Sequence, residues 1–336
     1  MAEQNSAMPS AEWLYEQGIG ENRAILTING AIVEARIERH GMIQAGLVAV
    51  ARLVKQLVPG KRGIAILPDG REILLAPLPN GATEGADVTV EIRRAAIGER
   101  TRDKLPMARP ARDKTPQPAP TLLDRIMGSG FAVRQCHAHE ADHFAQAGWY
   151  EILESARTGH MDFAGGSLII SVTPAMTVID VDGEGPAKPL SLAAASACAK
   201  AIRLFDLQGS IGIDFPGMES KADRQVAAEA FDDAMAGDYE RTGINGFGFM
   251  QIVRRRTGPS LPELLQPDQI GGYAFELLRR AEREAGSGEM QLTAHPKLVQ
   301  RLEQHPDWLA ELARRTGGAV RLRSDPKLSI AGGYAG

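Results

Sequence analysis

The sequence holds only two cysteines, Cys136 and Cys198, among 336 residues. No C-x-x-C spacing occurs, so neither a disulfide framework nor a thiolate zinc site within one chain is available. Long apolar runs are missing too: none approaches the roughly 20 residues needed to span a bilayer. Between Tyr15 and Phe131 there is no Phe, Trp or Tyr, which removes aromatic stacking from whatever that segment binds. The stretch Met1 to Glu12 lacks the basic-then-apolar pattern of a signal peptide. A soluble, cytoplasmic chain with no membrane partner is therefore expected. The formal net charge is only -4, so bulk charge does not announce a nucleic-acid binder.

Enough is present for real cores. Hydrophobic residues make up 43% of the chain, and its length suits two or three compact units. Charge is concentrated locally. Arg93, Arg94, Arg100, Arg102, Lys104, Arg109, Arg112 and Lys114 face only Glu99, Asp103 and Asp113 in the same stretch. A second cluster is Arg254, Arg255 and Arg256. Either can neutralise phosphates, and either can equally be a solvated linker or a charged element end.

Hydrophobic patterning divides the chain. Residues 1–10 read as a disordered tail, and 11–97 as a β-rich N-terminal part. In it Arg23–Ile28 and Ala31–Ile37 flank Asn29-Gly30, a strong hairpin signal because both turn residues tolerate positive φ. From about 41 to 97, short strands at Val48–Val54, Gly63–Leu67, Glu72–Ala76 and Val88–Ile92 suggest a small barrel. Residues 98–121, with Pro106, Pro110, Pro116, Pro118 and Pro120 among charges, read as a basic, proline-rich linker. Residues 122–262 alternate strands (Ser167–Val172, Met176–Asp180, Gly209–Asp214) with helices (Leu190–Phe205, Ser220–Met235), a mixed α/β pattern. Phe247–Arg255 fits strand or helix. Residues 263–336 read as a small α/β domain: helix Ile270–Ala285, strand Met290–Ala294, helix Pro296–Thr316 and strand Ala319–Arg323.

Two aspartates end predicted buried strands: Asp180 after Val-Ile and Asp214 after Ile-Gly-Ile. Asp182 points to the same side as Asp180 if that strand continues. Carboxylates gathered at strand ends make a hard-oxygen site suited to magnesium, which activates water and neutralises phosphate charge. The same residues also serve simply to cap turns. A different chemistry is suggested by His139-Glu-Ala-Asp-His143, which fits the H-E-x-x-H pattern of a helical zinc site. Short patterns of this kind also arise by chance.

Several segments in order resemble one family. Gly165–Ile170 and Thr173–Asp182 look like its G-G-S-I-V-I and T-E-A-L-x-x-I-D-V-N motifs. Ile202–Gly209 is similar to I-R-L-R-D-L-G-G, and Ile213–Met218 to I-D-F-I-D-M. Phe247–Arg256, then Gly-Pro-Ser-Leu261, resembles F-G-L-L-E-M-S-R-Q-R-x-x-P-S-L. The family is that of ribonucleases E and G, in a short form. The resemblance implies an S1/OB-like barrel in the N-terminal part, a DNase I-like catalytic subdomain, and magnesium-dependent endonucleolytic cleavage of single-stranded RNA leaving 5′-phosphate ends. It implies that Asp180 and Asp214 hold Mg2+, with Mn2+ as a substitute and no zinc needed. Asp182 stands at the motif's active-site asparagine, and Pro174 at its glutamate. RNA contacts are expected from Arg93, Arg94, Arg100, Arg102, Lys104, Phe247, Arg254, Arg255 and Arg256. The family's 5′-end sensor region is largely missing, and so are its zinc-link cysteines after Pro-Ser-Leu. Two other readings stand beside the nuclease: an RNA-binding relative with weak or lost catalysis, and, more remotely, a zinc-dependent hydrolase using His139, Glu140 and His143. The oligomeric state, homo-oligomer included, is left open.

Overall fold

The computed structural model describes residues 10–98, 104–284 and 288–336. Along the chain run β1 (Ala11–Gln17), β2 (Glu21–Ile28), β3 (Ala31–Arg39), β4 (Val48–Val58), β5 (Arg62–Ile66), β6 (Glu72–Leu75), β7 (Asp87–Arg94) and β8 (Met107–Pro110). Then come α1 (Leu122–Met127), β9 (Ala132–Cys136), α2 (His143–Ala147), α3 (Trp149–Thr158), β10 (His160–Phe163), β11 (Gly166–Val172), β12 (Thr177–Gly183), α4 (Ala187–Leu204), β13 (Gly209–Asp214) and α5 (Lys221–Ala234). The remainder is β14 (Glu240–Arg241), β15 (Phe249–Arg254), α6 (Leu261–Leu265), α7 (Gln269–Glu284), β16 (Met290–Ala294), α8 (Pro296–Glu303), α9 (Pro306–Thr316), β17 (Val320–Ser324) and β18 (Tyr334–Ala335). The class is mixed α+β, as expected. No helix among the described residues is long and apolar enough to cross a membrane.

The elements form two compact units, neither continuous in sequence. The first gathers residues from 10–40, 126–158 and 268–336. Its four-stranded sheet has the order β3-β2-β1-β9, with β9 parallel to β1. The Asn29-Gly30 hairpin forms as the sequence predicts, with φ of 52° and 81° at the two turn residues. A second sheet, β17-β16-β18, packs its Met290, Leu292 and Ala294 with Leu277, Leu278 and Leu298. The expected single helix from Pro296 to Thr316 is broken into α8 and α9. Pro306 has no N–H to continue α8, but suits the first turn of α9, where that donor is not used.

The second unit comprises 41–125 and 159–267. Its barrel closes in the order β4-β5-β6-β8-β7 around Leu53, Ala65, Ile73, Leu75, Val90 and Ile92. The closing strand β8 lies inside the stretch expected to be a linker. Its alternation covers only Met107–Pro110, and prolines on either side mask it. Pro110, lacking a donor, stands at the strand's end, where it disrupts least. The unit's six-stranded sheet has the order β10-β11-β12-β13-β15-β14. Leu168, Ile170, Ile179, Val181, Ile211, Ile213, Met250 and Ile252 are buried on one face. Helix α4 packs against β10, β11 and β12 and against α5. Six of the nine buried residues of α4 are Ala or Cys, which lets it lie close to the sheet. The expected domains 11–97, 122–262 and 263–336 are therefore each divided or joined differently. Residues 1–9 of the expected tail, and Ala285, lie outside the described residues.

Candidate active site

The acids lie on the opposite face of the sheet from α4. In β12, Thr177, Ile179 and Val181 are buried while Asp180 and Asp182 are exposed. The period-2 alternation of a strand thus puts the apolar set under the helix and both aspartates in solvent. In β13, Ile211 and Ile213 are buried and Asp214 is exposed. Strands β12 and β13 are parallel, and Asp180 pairs in register with Asp214. Register partners share a face, so the two carboxylates stand side by side on strands about 4.8 Å apart. Among the described residues, no ion pair or side-chain hydrogen bond to another group is made by either carboxylate. Asp182 lies two residues on along the same face, opposite Ser167 of β11. Its Oδ1 accepts the backbone N–H of Gly183 at 2.8 Å.

This donor set fits a hard divalent cation. Magnesium is usually held by one or two carboxylates and keeps several waters. Two exposed carboxylates without a protein counter-ion meet that need. No group of three or more His, Cys, Asp and Glu side chains is gathered for a metal among the described residues, so Asp182 is not drawn into the pair.

An aromatic rim borders the acids. Asp214 pairs in register with Phe249 of the antiparallel β15. A Cβ on Gly212 would come within 2.4 Å of the Phe249 ring and 3.1 Å of the Met176 sulfur. Only glycine lets that ring lie on the sheet. Beyond it, Phe247 is 91% exposed. Its turn is fixed: Asn245 Oδ1 accepts the N–H groups of Phe247 and Phe249, at 2.9 and 3.1 Å. Phe215, next to Asp214, donates its N–H to Gly248 O at 3.1 Å. Gly248 has φ 89°, and a Cβ there would meet Phe215 O at 2.4 Å. The protruding ring and the strand end carrying Asp214 are thus tied together. Sequence reasoning singled out Phe247 but missed Asn245 and Gly212; the Asn245-Gly246 turn signal was the available clue.

The predicted basic residues do not converge on this face. Arg254, at the far end of β15, donates to Leu207 O. Arg256 is ion-paired with Glu263, whose carboxylate also accepts the Ser260 N–H in the capping box of α6. Arg94 donates to the carbonyls of Ala95 and Leu105, and Arg93 faces Glu91. Lys104 donates to Pro174 O at 2.5 Å. Lys104, Pro174, Arg256 and Gln266 share a cleft of about 260 Å³ before the start of β12. Among the described residues Arg255 makes no hydrogen bond or ion pair, and Arg100 and Arg102 lie outside them.

The helical premise of H-E-x-x-H does not hold. His139 and Glu140 lie in a turn, and α2 begins only at His143 with Asp142 as its N-cap. The two histidines therefore do not share one helix face. His139 stacks on His137 with ring centroids 5.5 Å apart, while His143 Nε2 lies 2.9 Å from Arg134.

Comparison with known proteins converges on the same segment. Residues 121–257 match the Ribonuclease E/G family. Ribonuclease G of Escherichia coli strain K12 is 25% identical over 190 residues, covering 48% of this chain and 39% of that protein. Ribonuclease G of Haemophilus influenzae is 33% identical over 114 residues, 30% of this chain and 23% of the relative. Ribonuclease E of the same organism is 35% identical over 112 residues, 30% of this chain and 12% of the relative. The alignments thus span well under half of each relative's length. The match takes in β11 to β15, with both aspartate-bearing strand ends and the Phe247 turn, and over this segment the chain is similar to the Ribonuclease E/G family.

Proposed function

We propose that this chain is an endoribonuclease that cleaves single-stranded RNA with a magnesium ion held by Asp180 and Asp214, leaving 5′-phosphate ends. The observation that carries this reading is the register pairing of the two exposed, uncompensated aspartates, within the segment that matches the Ribonuclease E/G family. A bound magnesium supplies charge neutralisation at the scissile phosphate and an activated water. The chain's own residues do the rest. Asp180 and Asp214 would hold the ion. The Phe247 ring offers a face on which a base can stack, and the Asn245 hydrogen bonds hold that ring in place. The test is incubation of the purified chain with end-labelled single-stranded RNA, with and without magnesium, followed by analysis of the product ends. Cleavage only with magnesium and 5′-phosphate products are expected; no cleavage under either condition would sink the proposal.

One observation favours weaker catalysis. Asp182, at the motif's asparagine, has turned an oxygen onto its own strand's Gly183 N–H. On that reading RNA binds but turnover is slow, and comparing binding with turnover separates the two. Phe247→Ala is expected to raise KM by about tenfold, within the ~1–3 kcal/mol of one stacked base, and to leave kcat nearly unchanged. An unaltered KM would remove Phe247 from the RNA path.

Cleavage is also expected to ignore the 5′ group. Only residues 111–121 join the barrel strand β8 to α1. So short a proline-containing stretch cannot build the fixed donors that tell a monophosphate from a triphosphate. Matched 5′-monophosphate, 5′-triphosphate and 5′-hydroxyl RNAs should react within about threefold of one another. A monophosphate preference of about tenfold, ~1.4 kcal/mol, would reveal a sensor elsewhere.

A further inference from the structure

The barrel carries an arrangement of charges that its packing does not require. On β7, Val88, Val90 and Ile92 point into the barrel core. Thr89, Glu91 and Arg93 therefore point outward. Glu91 is nonetheless only 7% exposed, because three cations close over it. Lys114 Nζ donates to its Oε1 at 2.8 Å. Arg109, its register partner on β8, donates Nε and Nη2 to Oε2 at 3.0 and 2.9 Å. Arg93 Nη1 lies 3.5 Å from Oε1. The hydrogen bond from Lys114 leads in pulling the Glu91 carboxyl down to about 2, against its burial, and Arg109 adds to it. The acid is therefore ionised at any working pH.

One carboxylate cannot satisfy three cations. Both Glu91 oxygens are already taken, and among the described residues a local charge of two remains unneutralised. The side chains of Arg93, Arg109 and Lys114 are 30%, 49% and 46% exposed. A guanidinium has five N–H donors and an ammonium three. Arg109 uses two of its five on Glu91, and Lys114 one of its three, so donors remain free on a fixed frame. Arg94, the next residue, contrasts with them: it spends its guanidinium on the carbonyls of Ala95 and Leu105. The outer surface of β5 and β6, the face most used for oligonucleotides in five-stranded barrels, offers instead half-buried Ile64, Ile66 and Leu74. Its charges, Arg62 and Glu72 at the strand starts, are of opposite sign, and it has no aromatic ring.

We infer that Arg93, Arg109 and Lys114, held by Glu91 on the outer face of β7 and β8, form a binding site for backbone phosphates of single-stranded RNA. This rests on the RNA-cleaving reading above, and gives the aromatic-free barrel a way to hold its substrate. The grip is on phosphate, so it is independent of base sequence and sensitive to salt. Glu91 is a positioning residue: it fixes the cations and touches no substrate.

The test measures the affinity of dye-labelled oligouridylate for the full chain, in chelator to prevent cleavage, across a salt series. Arg109→Ala with Lys114→Ala should weaken binding about tenfold and lower the slope of log affinity against log salt by about 1.4, or ~0.7 per lost phosphate contact. Arg109→Lys with Lys114→Arg keeps both charges and should keep the slope. Arg93→Ala leaves both hydrogen-bonding partners on Glu91, so it repeats the test with the ion pairs intact; about threefold weaker binding and a slope change of ~0.7 are expected. RNA binding by the wild type with slopes unchanged in the alanine variants would overturn this site while leaving the nuclease reading in place. No RNA binding by the wild type, together with no magnesium-dependent cleavage, would overturn both. Competition by polyglutamate as strong as by unlabelled RNA of equal charge would assign the patch to an acidic protein and overturn the inference.

Discussion

Asp180→Asn and Asp214→Asn are each expected to lower RNA cleavage by about a thousandfold, ~4 kcal/mol of transition-state stabilisation, while leaving the fold intact. Both side chains are exposed at strand positions whose buried neighbours carry the packing. Substitution at such surface positions changes stability by only about 0.5 kcal/mol. Replacing one of two adjacent like charges relieves repulsion, so unfolding should move little or towards greater stability. Single-turnover cleavage at saturating magnesium, with thermal unfolding followed by circular dichroism, separates the two effects. Near-full activity in either variant would remove that aspartate from the site.

Glu16→Ala is expected to have the largest effect on stability, a loss of about 3–5 kcal/mol, the usual cost of removing one partner from a buried ion pair. Glu16 is 3% exposed. Its carboxylate accepts Arg23 Nη2 at 2.7 Å and Arg283 Nη2 at 2.9 Å, and lies 3.4 Å from Arg279 Nη1. Without it, three guanidiniums converge on a space that holds no counter-charge at its centre. Arg23 is itself buried, with its guanidinium 4.1 Å from the centre of the Phe144 ring, so it cannot swing into water. Burial pushes the Glu16 carboxyl up, but Arg23, Arg279 and Arg283 together outweigh it and hold it below the usual 4.5. The stability from this group is therefore complete above about pH 4.5 and is lost as pH falls through the lower folded-state value. Glu21 has the opposite sign, because burial raises its carboxyl; it favours the folded chain at low pH and less so as pH rises past 4.5. Urea unfolding of wild type and variant at neutral pH and again in acid checks both statements. A loss at neutral pH under about 1 kcal/mol would mean that the arginines re-pair without Glu16.

What could be read from sequence was local. Asn29-Gly30 specified its hairpin because the turn residues themselves carry the positive φ. The strands ending in Asp180 and Asp214 were readable from short apolar runs, and helix α5 from its amphipathic spacing and Ser220 cap. What was hidden depended on distant partners. Nothing near Ala11 or Ala132 announces that β1 and β9 will pair across more than a hundred residues. The closing barrel strand β8 hid among prolines. The interleaving of 10–40, 126–158 and 268–336 into one unit has no local signature at all. The acids were found as two separate strand ends; that they are register partners is a property of the β12–β13 pairing. Conversely, H-E-x-x-H was legible and misleading, because Asp142 starts α2 one residue before His143.

We propose that Asp180 and Asp214 together hold the ion that cleavage requires. Manganese, which substitutes for magnesium at hard-oxygen sites, can be counted directly from the loss of its free-ion electron paramagnetic resonance signal. One bound ion is expected in the wild type, and none in the folded Asp180→Asn/Asp214→Asn double variant. A double variant that still binds one ion and still cleaves RNA would contradict it.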